Sequence, residues 1–173
     1  MNTRTINHIQ NLHPVLRADL TDSLLMLEAL DINVVITDSY RSFNVQDSLY
    51  ELGRTKKGLK VTNAKGGQSF HNYGLAFDVA LLDSSGNVDY DLFFDNKGNP
   101  SIQLLDVVQV LAIKQFEWGG YWMKKDLPHF QRSYGFSTSE LFERTKAMLT
   151  DSAGFVLLDK IIDLNNVMNS IKE

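Results

Sequence analysis

Two short runs of this 173-residue chain combine side chains that can bind a metal ion and transfer a proton. The first run contains His71 and ends at Asp78, and the second extends from Asp126 to His129. Two neutral imidazoles and one carboxylate suit a zinc ion, because they leave a fourth tetrahedral position open for water. A second carboxylate beside that water would accept its proton. The two runs therefore predict a catalytic zinc site.

The position of Asp78 strengthens this interpretation. It lies within an apolar run, residues 75–82, where an unpaired buried carboxylate would be costly and a bound cation would remove the cost. Gly74 would permit the tight turn that brings His71 towards Asp78. No comparable pattern surrounds His8 or His13, which we interpret as ordinary polar residues. Spacing alone does not exclude that the predicted ligands are also ordinary polar residues.

The bulk properties agree with one enzyme-sized domain over residues 1–173. The hydrophobic content of 43% is ordinary for a globular chain, and the net charge of -4 argues against a general nucleic-acid or membrane-surface binder. Cysteine is absent, which excludes disulfides and thiolate metal sites, so a metal must rely on His, Asp or Glu. No run has the length of a signal peptide core or of a membrane span. We expect a soluble product made in the cytoplasm.

The elements that would position these residues indicate an α+β fold, with a small antiparallel sheet carrying the zinc site between flanking helices. Hydrophobic periodicity predicts helices at 15–30, 43–52, 102–116 and 137–149, and strands at 34–37, 75–82, 117–122 and 127–131. A glycine- and lysine-containing loop at 54–68 would lead the chain to His71. Residues 83–100, with two turn sequences, would form a hairpin or an excursion.

The end of the chain has a helical pattern of its own. Five apolar residues follow 4-3-4-3 spacing, namely Leu157, Ile161, Leu164, Met168 and Ile171. They predict an amphipathic helix from Gly154 onwards, which completes a helical part at 137–173. Closure over the domain core is the favoured role, and a self-association or partner-docking face is the alternative.

Over about residues 30–135 the chain resembles the zinc peptidases of peptidoglycan known as peptidase family M15, especially the L-alanyl-D-glutamate endopeptidase branch of phage endolysins and autolysins. The family signature Ser-x-His-x-x-Gly-x-Ala-x-Asp is matched by Ser69, His71, Gly74, Ala76 and Asp78. Its second part, acid-x-x-His, is matched by Asp126 and His129. A third element is an arginine in a Tyr-Arg-Ser context, here Arg41, followed by Gln46.

The resemblance implies that His71, Asp78 and His129 are the ligands of one zinc ion per chain. It implies that Asp126 is the catalytic acid and base. Glu117 is the rival base, which we rank lower because it lacks the i to i+3 relation to a ligand. The alternative is that Asp126 is a surface carboxylate without a catalytic role.

The resemblance also implies roles for three polar residues outside this set. Arg41 would polarise the scissile carbonyl, unless it serves only in a structural ion pair. Ser69 and Gln46 would support the site by hydrogen bonding or contact the substrate.

For the substrate, the resemblance implies peptidoglycan stem peptides. The approach segment 60–69 is similar to that of L-alanyl-D-glutamate endopeptidases, which favours the L-Ala–D-Glu bond. A D,D- or L,D-carboxypeptidase or D-Ala-D-Ala dipeptidase is the first alternative. A metal-containing binding module without turnover is the second, and a closed structural zinc site is the third. Basic residues before the motif would attract an anionic substrate, or form a solvated loop: Arg54, Lys56, Lys57, Lys60 and Lys65.

A wall-degrading enzyme without a signal peptide would reach its substrate after lysis or through a lesion made by a separate membrane-permeabilising protein. This expectation fits a phage endolysin. We expect no nucleic-acid partner and no membrane insertion. No wall-binding repeat is evident, so the catalytic domain would have to find the wall itself.

Overall fold

A computed structural model describes residues 1–159, and this part of the chain holds five α-helices and four β-strands. In chain order these are α1 (Thr3–Asn11), α2 (Pro14–Ala29), β1 (Val34–Asp38), α3 (Phe43–Glu51), β2 (Ala76–Leu81), α4 (Ile102–Ile113), β3 (Glu117–Trp118), β4 (His129–Gln131) and α5 (Thr138–Lys146). No helix among these has the length and apolar character needed to cross a membrane.

The four strands form one antiparallel sheet in the order β1-β2-β4-β3. Strand β2 therefore lies at the centre, between β1 and β4. Its register pairs Asp78 with His129 on β4 and with Asp38 on β1, where a bulge interrupts the ladder. The predicted small antiparallel sheet is confirmed, and it aligns the two motifs side by side.

The core lies against one face of this sheet. Leu16, Leu20, Leu24 and Leu27 follow one side of α2, and Leu104, Val107 and Leu111 follow one side of α4. Phe77 of β2 is fully buried, with its ring edge-on to Phe116 and stacked on Phe130. Because side chains alternate along a strand, the burial of Phe77 directs its neighbour Asp78 to the opposite face. The core thus fixes the direction of a site residue.

A short 3₁₀ helix, Phe70–Tyr73, precedes β2 and carries His71. It ends at Gly74, which has the left-handed φ of 66°. A Cβ at this position would lie 2.7 Å from the backbone nitrogen of His13, so both conformation and space require glycine. The expected tight turn is confirmed.

The sequence-based boundaries agree with the structure for the helices α2 to α5 and for β1, β2 and β4, to within a few residues. Helix α1 was not predicted, although Asn2 provides its N-cap by accepting a hydrogen bond from the Thr5 backbone. The strand expected at 117–122 is shorter, because the chain leaves β3 at Trp118 for a 3₁₀ turn over Gly119–Tyr121.

The expected excursion at 83–100 consists of two tight turns around a 3₁₀ segment, Asp91–Phe93. Asp83 and Asp95 each accept two backbone hydrogen bonds within their turns.

The predicted C-terminal helix is wrong for residues 154–159. Val156 forms an isolated bridge with Thr150, and Asp151 accepts hydrogen bonds from the backbone of Ala153 and Phe155. This aspartate-initiated turn folds the segment back along the chain instead of continuing α5. The remainder of the predicted helix, residues 160–173, lies outside the described part.

Candidate metal centre and active site

The three predicted zinc ligands converge at the surface of the sheet. His71 Nε2 lies 3.3 Å from Asp78 Oδ1, His129 Nδ1 lies 3.3 Å from the same oxygen, and the two nitrogens are 3.2 Å apart. Both histidines are buried, and Asp78 is partly buried. Among residues 1–159, this is the cluster of acidic and histidine side chains whose donor atoms are arranged for a metal.

The triangle of donor atoms fits a zinc ion. A tetrahedral zinc with bonds of about 2.0–2.1 Å separates neighbouring ligand atoms by about 3.3–3.4 Å. The observed separations of 3.2 and 3.3 Å match that spacing closely. The fourth corner of such a tetrahedron would be left for water or substrate, as in catalytic rather than structural zinc sites.

His71 presents the correct nitrogen for coordination. Its Nδ1 lies 2.6 Å from the backbone oxygen of Ser39, which can only accept a hydrogen bond. Nδ1 therefore carries the proton, and in the neutral ring Nε2 keeps its lone pair facing Asp78. Because Ser39 directly follows β1, the end of this edge strand determines the tautomer of His71.

His129 is fixed in the same way through a chain of side chains. Its Nε2 lies 3.1 Å from Gln131 Oε1, and Gln131 Nε2 donates to Glu117 over 3.0 Å. An ionised carboxylate only accepts, so the amide of Gln131 must turn its NH₂ to Glu117 and its oxygen to His129. His129 then donates from Nε2 and keeps the lone pair of Nδ1 for a metal.

Glu117 is therefore linked to His129 through Gln131. Burial opposes its ionisation, but hydrogen bonds from Ser133 and Gln131 hold the pKa of Glu117 below its usual value. Glu117 itself does not line the reaction cleft, whereas its partner Gln131 does. The lower rank of Glu117 as a base therefore stays a prediction.

The charged groups of this cluster shift one another's pKa values. Burial alone would raise the pKa of Asp78, but hydrogen bonds from His129 and His71 outweigh it and lower that pKa well below the usual range. Burial would lower the pKa of His129, whereas the Asp78 carboxylate raises it above its ordinary value. A divalent cation would replace these protons as the positive partner of Asp78.

Asp126 lies on the same cleft as the three ligands. Its backbone is held by hydrogen bonds from its own nitrogen to Gly119 and from His129 to its carbonyl. Partial burial and the negative charge of Asp78 raise the pKa of Asp126, while His129 and His71 oppose the shift. A raised pKa lets this carboxyl group hold a proton more readily than an ordinary aspartate does, which suits a group that must accept and return a proton.

Gly119 lies directly beneath this segment. A Cβ there would lie 2.6 Å from the carbonyl oxygen of Asp126 and 3.2 Å from the Cβ of His129. The absence of a side chain thus allows the segment from Asp126 to His129 to pack closely on the turn that follows β3.

Arg41 lines the cleft, and two neighbouring side chains fix its guanidinium group. One terminal nitrogen donates to Gln46 Oε1 over 2.8 Å, and the other forms an ion pair with Asp38. Gln46 is fully buried and donates through Nε2 to Ala64 O and Thr62 Oγ1, which turns its oxygen towards the guanidinium. Two donors of Arg41 are anchored, and its remaining N–H groups are available to a substrate.

Ser69 occupies the N-cap of the 3₁₀ helix that carries His71. Its hydroxyl accepts a hydrogen bond from the His71 backbone over 3.4 Å, and Asn72 completes a capping box. The asparagine in turn donates to the carbonyl of Arg41 over 2.8 Å. Through these bonds Ser69 and Asn72 link the turn of one ligand to the segment of the arginine.

The cleft that contains these groups has a volume of about 730 Å³. Trp122 stands beside the metal site, with its ring centroid 4.9 Å from that of His129, and Tyr90 brings the 83–100 excursion to the cleft wall. The approach segment also lines the cleft, through uncharged residues that include Val61, Thr62, Asn63, Ala64 and Gln68.

The basic residues of the 54–68 loop are not among the residues lining the cleft. Arg54 lies over the ring of Tyr50 and donates to the carbonyls of Tyr50 and Thr62, and Lys56 pairs with Glu51. Arg54 therefore shapes the loop. The lysines that line the cleft are Lys124 and Lys125, which sequence reasoning did not identify.

Sequence reasoning also missed Ser39 and Gln131, whose oxygen atoms contact the ring nitrogens of His71 and His129. Gln131 carried a usable signal, because a residue two positions after His129 on a strand shares its face. Ser39 acts through its backbone carbonyl, so its residue type gives no such signal.

Comparison with known proteins agrees with this geometry. Residues 62–132 match the model of the M15 peptidase family described as D-alanyl-D-alanine carboxypeptidase. The chain is 46% identical to the peptidoglycan L-alanyl-D-glutamate endopeptidase CwlK of Bacillus subtilis (strain 168). The alignment extends over 123 residues and covers 70% of this chain and 73% of CwlK. It also resembles the crystal structure of the L-Ala D-Glu endopeptidase ChiX of Serratia marcescens, with a TM-score of 0.51 and 22% identity over 78% of this chain and 90% of that one. The structural likeness shows a shared fold, and the sequence identity shows that this chain belongs to peptidase family M15.

Proposed function

We propose that this protein is a zinc-dependent peptidoglycan peptidase that hydrolyses the L-Ala–D-Glu bond of stem peptides. The observation that carries the proposal is the triangle of His71, Asp78 and His129 donor atoms, spaced as a tetrahedral zinc requires, with Asp126 and Arg41 on the same cleft. The relation to CwlK supports the choice of substrate and bond.

The ligands prepare the site before any substrate arrives. When bound by these three side chains, a zinc ion would supply Lewis-acid chemistry and activate a water molecule as the nucleophile. Ser39 and Gln131 keep each imidazole in the tautomer that offers a lone pair.

Asp126 carries the proton during the reaction. Its carboxylate accepts a proton from the attacking water, and its carboxyl group then donates that proton to the nitrogen that leaves as the amide bond breaks. The raised pKa of Asp126 favours the second step, because the carboxyl group must remain protonated until the nitrogen becomes basic.

Arg41 stabilises the charge that develops on the substrate. Its guanidinium, held by Gln46 and Asp38, would donate to the carbonyl oxygen as that oxygen becomes negative. Because these anchors fix the group beforehand, little reorganisation is needed in the transition state.

The second candidate function is that of a carboxypeptidase acting on the D-Ala terminus. The description of the matching family model favours it, since that model is named for D-alanyl-D-alanine carboxypeptidase. The 46% identity to an endopeptidase favours the internal bond, and this relation extends over more of the chain.

The proposed setting is lysis of the cell wall. As an endolysin, the enzyme would act after a separate protein has permeabilised the membrane. Expression of this chain alone in a bacterial cytoplasm would then leave cells intact, and permeabilisation with chloroform would trigger lysis. Lysis without permeabilisation would contradict this part of the proposal.

The activity is tested by mass spectrometry of peptides released from purified sacculi by the zinc-loaded protein. Peptides with a new N-terminal D-Glu are expected, and Asp126→Asn should abolish them. Asp22→Asn is the matched control, because it removes one exposed carboxylate on α2, paired with Lys114, away from the cleft. Free D-Ala would support the carboxypeptidase instead. No released product would contradict both peptidase candidates.

A further inference from the structure

Lys124 and Lys125 are exposed on the wall of the reaction cleft. They lie in the segment between the 3₁₀ turn Gly119–Tyr121 and β4, directly before Asp126. Within residues 1–159, neither ammonium group has an acidic partner within ion-pair distance. The cleft therefore contains two cations whose charge is not used by the protein itself.

The third cation lining the cleft is Arg41, and it is already committed. Asp38 neutralises its charge, Gln46 fixes its orientation, and its free donors serve the scissile carbonyl in the proposed mechanism. The negative groups of the cleft, Asp78 and Asp126, belong to the metal site and to proton transfer. An additional anion on the substrate would thus find only the two lysines.

The proposed substrate carries such an anion close to the bond that is broken. In a stem peptide, D-Glu is joined to the next residue through its γ-carboxyl group, so its α-carboxylate is free unless it is amidated. That carboxylate is attached to the same carbon atom as the nitrogen that leaves. The group that protonates this nitrogen, Asp126, must therefore come near the substrate carboxylate.

Two neighbouring carboxylates repel each other unless a cation lies between or beside them. Lys125 adjoins Asp126 in the chain, and Lys124 adjoins Lys125. Backbone hydrogen bonds between Asp126 and Gly119 and between His129 and Asp126 hold the segment that follows directly after the two lysines. Their flexible stems allow the ammonium groups to follow a substrate carboxylate.

We propose that Lys124 and Lys125 bind the free α-carboxylate of D-Glu on the leaving-group side of the scissile bond and so make the enzyme selective for non-amidated stem peptides. This inference rests on the proposed function and specifies its substrate. The lysines are specificity residues and take no part in proton transfer.

The test compares two synthetic peptides that differ in a single group. Both contain L-Ala joined to a γ-linked residue and then a diamino acid, and that residue is D-Glu in one and D-isoglutamine in the other. For the unaltered enzyme, kcat/KM should be roughly tenfold or more higher for the D-Glu peptide, as expected for loss of a charge-assisted hydrogen bond. Equal values for the two peptides would overturn the proposal.

Substitution then assigns the selectivity. Lys124→Met with Lys125→Met should reduce the ratio to about one, by slowing cleavage of the D-Glu peptide alone through a higher KM. Lys57→Met is the matched control, because Lys57 is exposed and is not among the residues lining the cleft. A preference that survives the double substitution would also overturn the proposal.

Failure of the proposed function would look different. In that case the unaltered enzyme would cleave neither peptide at the Ala–Glu bond and would release no D-Glu-terminated fragments from sacculi. Cleavage of both peptides at equal rates would retain the endopeptidase and remove only the role of the lysines.

Discussion

At the scale of single residues, each histidine proposed as a metal ligand has a ring nitrogen directed at one neighbouring oxygen atom. For His71 the acceptor is the Ser39 carbonyl. For His129 the acceptor is the oxygen of Gln131, and that assignment depends on Glu117, because an amide group can present either its oxygen or its nitrogen. Glu117 therefore acts on the metal site through two hydrogen bonds without touching it.

The role of Glu117 predicts the effect of Glu117→Gln. A neutral amide at this position can accept from or donate to Gln131, so it no longer determines which atom of Gln131 faces His129. We expect the zinc dissociation constant to rise roughly tenfold, as is typical for loss of a group that orients a ligand. Competition with a chromophoric chelator measures this constant. Glu143→Gln, an exposed change on α5, is the control, and an unchanged constant in Glu117→Gln would refute the role.

Arg41 gives a second prediction at this scale, through Arg41→Lys. An ammonium group cannot keep both anchors, Gln46 and Asp38, and still present further donors in a fixed plane. We expect kcat to fall roughly 100-fold with little change in zinc affinity. Steady-state kinetics and the chelator assay measure the two effects. Arg17→Lys, which alters a donor to the Leu12 carbonyl outside the cleft, should change neither. Retained kcat in Arg41→Lys would exclude a role in charge stabilisation.

At the scale of elements, the site depends on the register of β2 with β4. The pairing of Asp78 with His129 brings two proposed ligands together across the ladder, and the 3₁₀ helix before β2 carries the third, His71. The segment that carries Asp126 enters β4 from the turn after β3 and is packed on Gly119. The acid is therefore positioned by close backbone packing.

This packing predicts a large effect of Gly119→Ala. Because the new Cβ would lie 2.6 Å from the Asp126 carbonyl oxygen, the segment must shift and carry the acid away from its position. A misplacement of a catalytic group by about 1 Å can cost about 100-fold in rate, so kcat/KM should fall by roughly that factor. Gly86→Ala is the comparison, since its φ of 81° is strained for alanine but no atom lies within 4 Å.

The two variants should differ in catalytic activity, and Gly86→Ala should affect stability alone. Gly86→Ala should lower the melting temperature and leave kcat/KM unchanged, because Gly86 is not among the residues lining the cleft. Equal activity of Gly119→Ala and the unaltered enzyme would show that the segment tolerates the added methyl group.

The sequence was most informative where function depends on residue type. The ligands, Asp126 and Arg41 could be proposed because imidazole, carboxylate and guanidinium have specific chemistry, and the long elements could be predicted from apolar periodicity. The charged loop at 54–68 was misleading, because Arg54 satisfies its donors locally, whereas Lys124 and Lys125 reach the cleft through the tertiary path of a turn. Helix α1 was missed because few apolar residues mark its face, and over residues 154–159 the aspartate turn at 151 takes the place of the predicted helix.

At the scale of the whole molecule, the site is tied to the chain's first helices and to its last described segment through His13. Its Nδ1 accepts a hydrogen bond from the Val15 backbone and caps α2, its Nε2 lies 3.0 Å from the Val156 carbonyl, and its backbone donates to Gly74 beside the 3₁₀ helix of His71. A cap that accepts at Nδ1 and donates at Nε2 requires the neutral imidazole. Burial accordingly lowers the pKa of His13 below its ordinary value.

The lowered pKa predicts how acid affects stability. Above the unfolded-state pKa of about 6.5, His13 is neutral in both states, and its contribution to the free energy of unfolding is fully present. As the pH falls below that value the unfolded chain binds the proton first, so this contribution decreases and is lost as the pH passes through the folded-state pKa. In His13→Asn an amide replaces the titrating ring and still offers an oxygen to the N-cap. Urea denaturation at about pH 7.5 and about pH 5.5 should therefore show a smaller loss of unfolding free energy in the variant than in the unaltered protein. Both proteins retain the other titrating groups, so the difference between the two losses isolates His13. Equal losses would mean that protonation of His13 leaves the junction between α2 and the segment at Val156 intact.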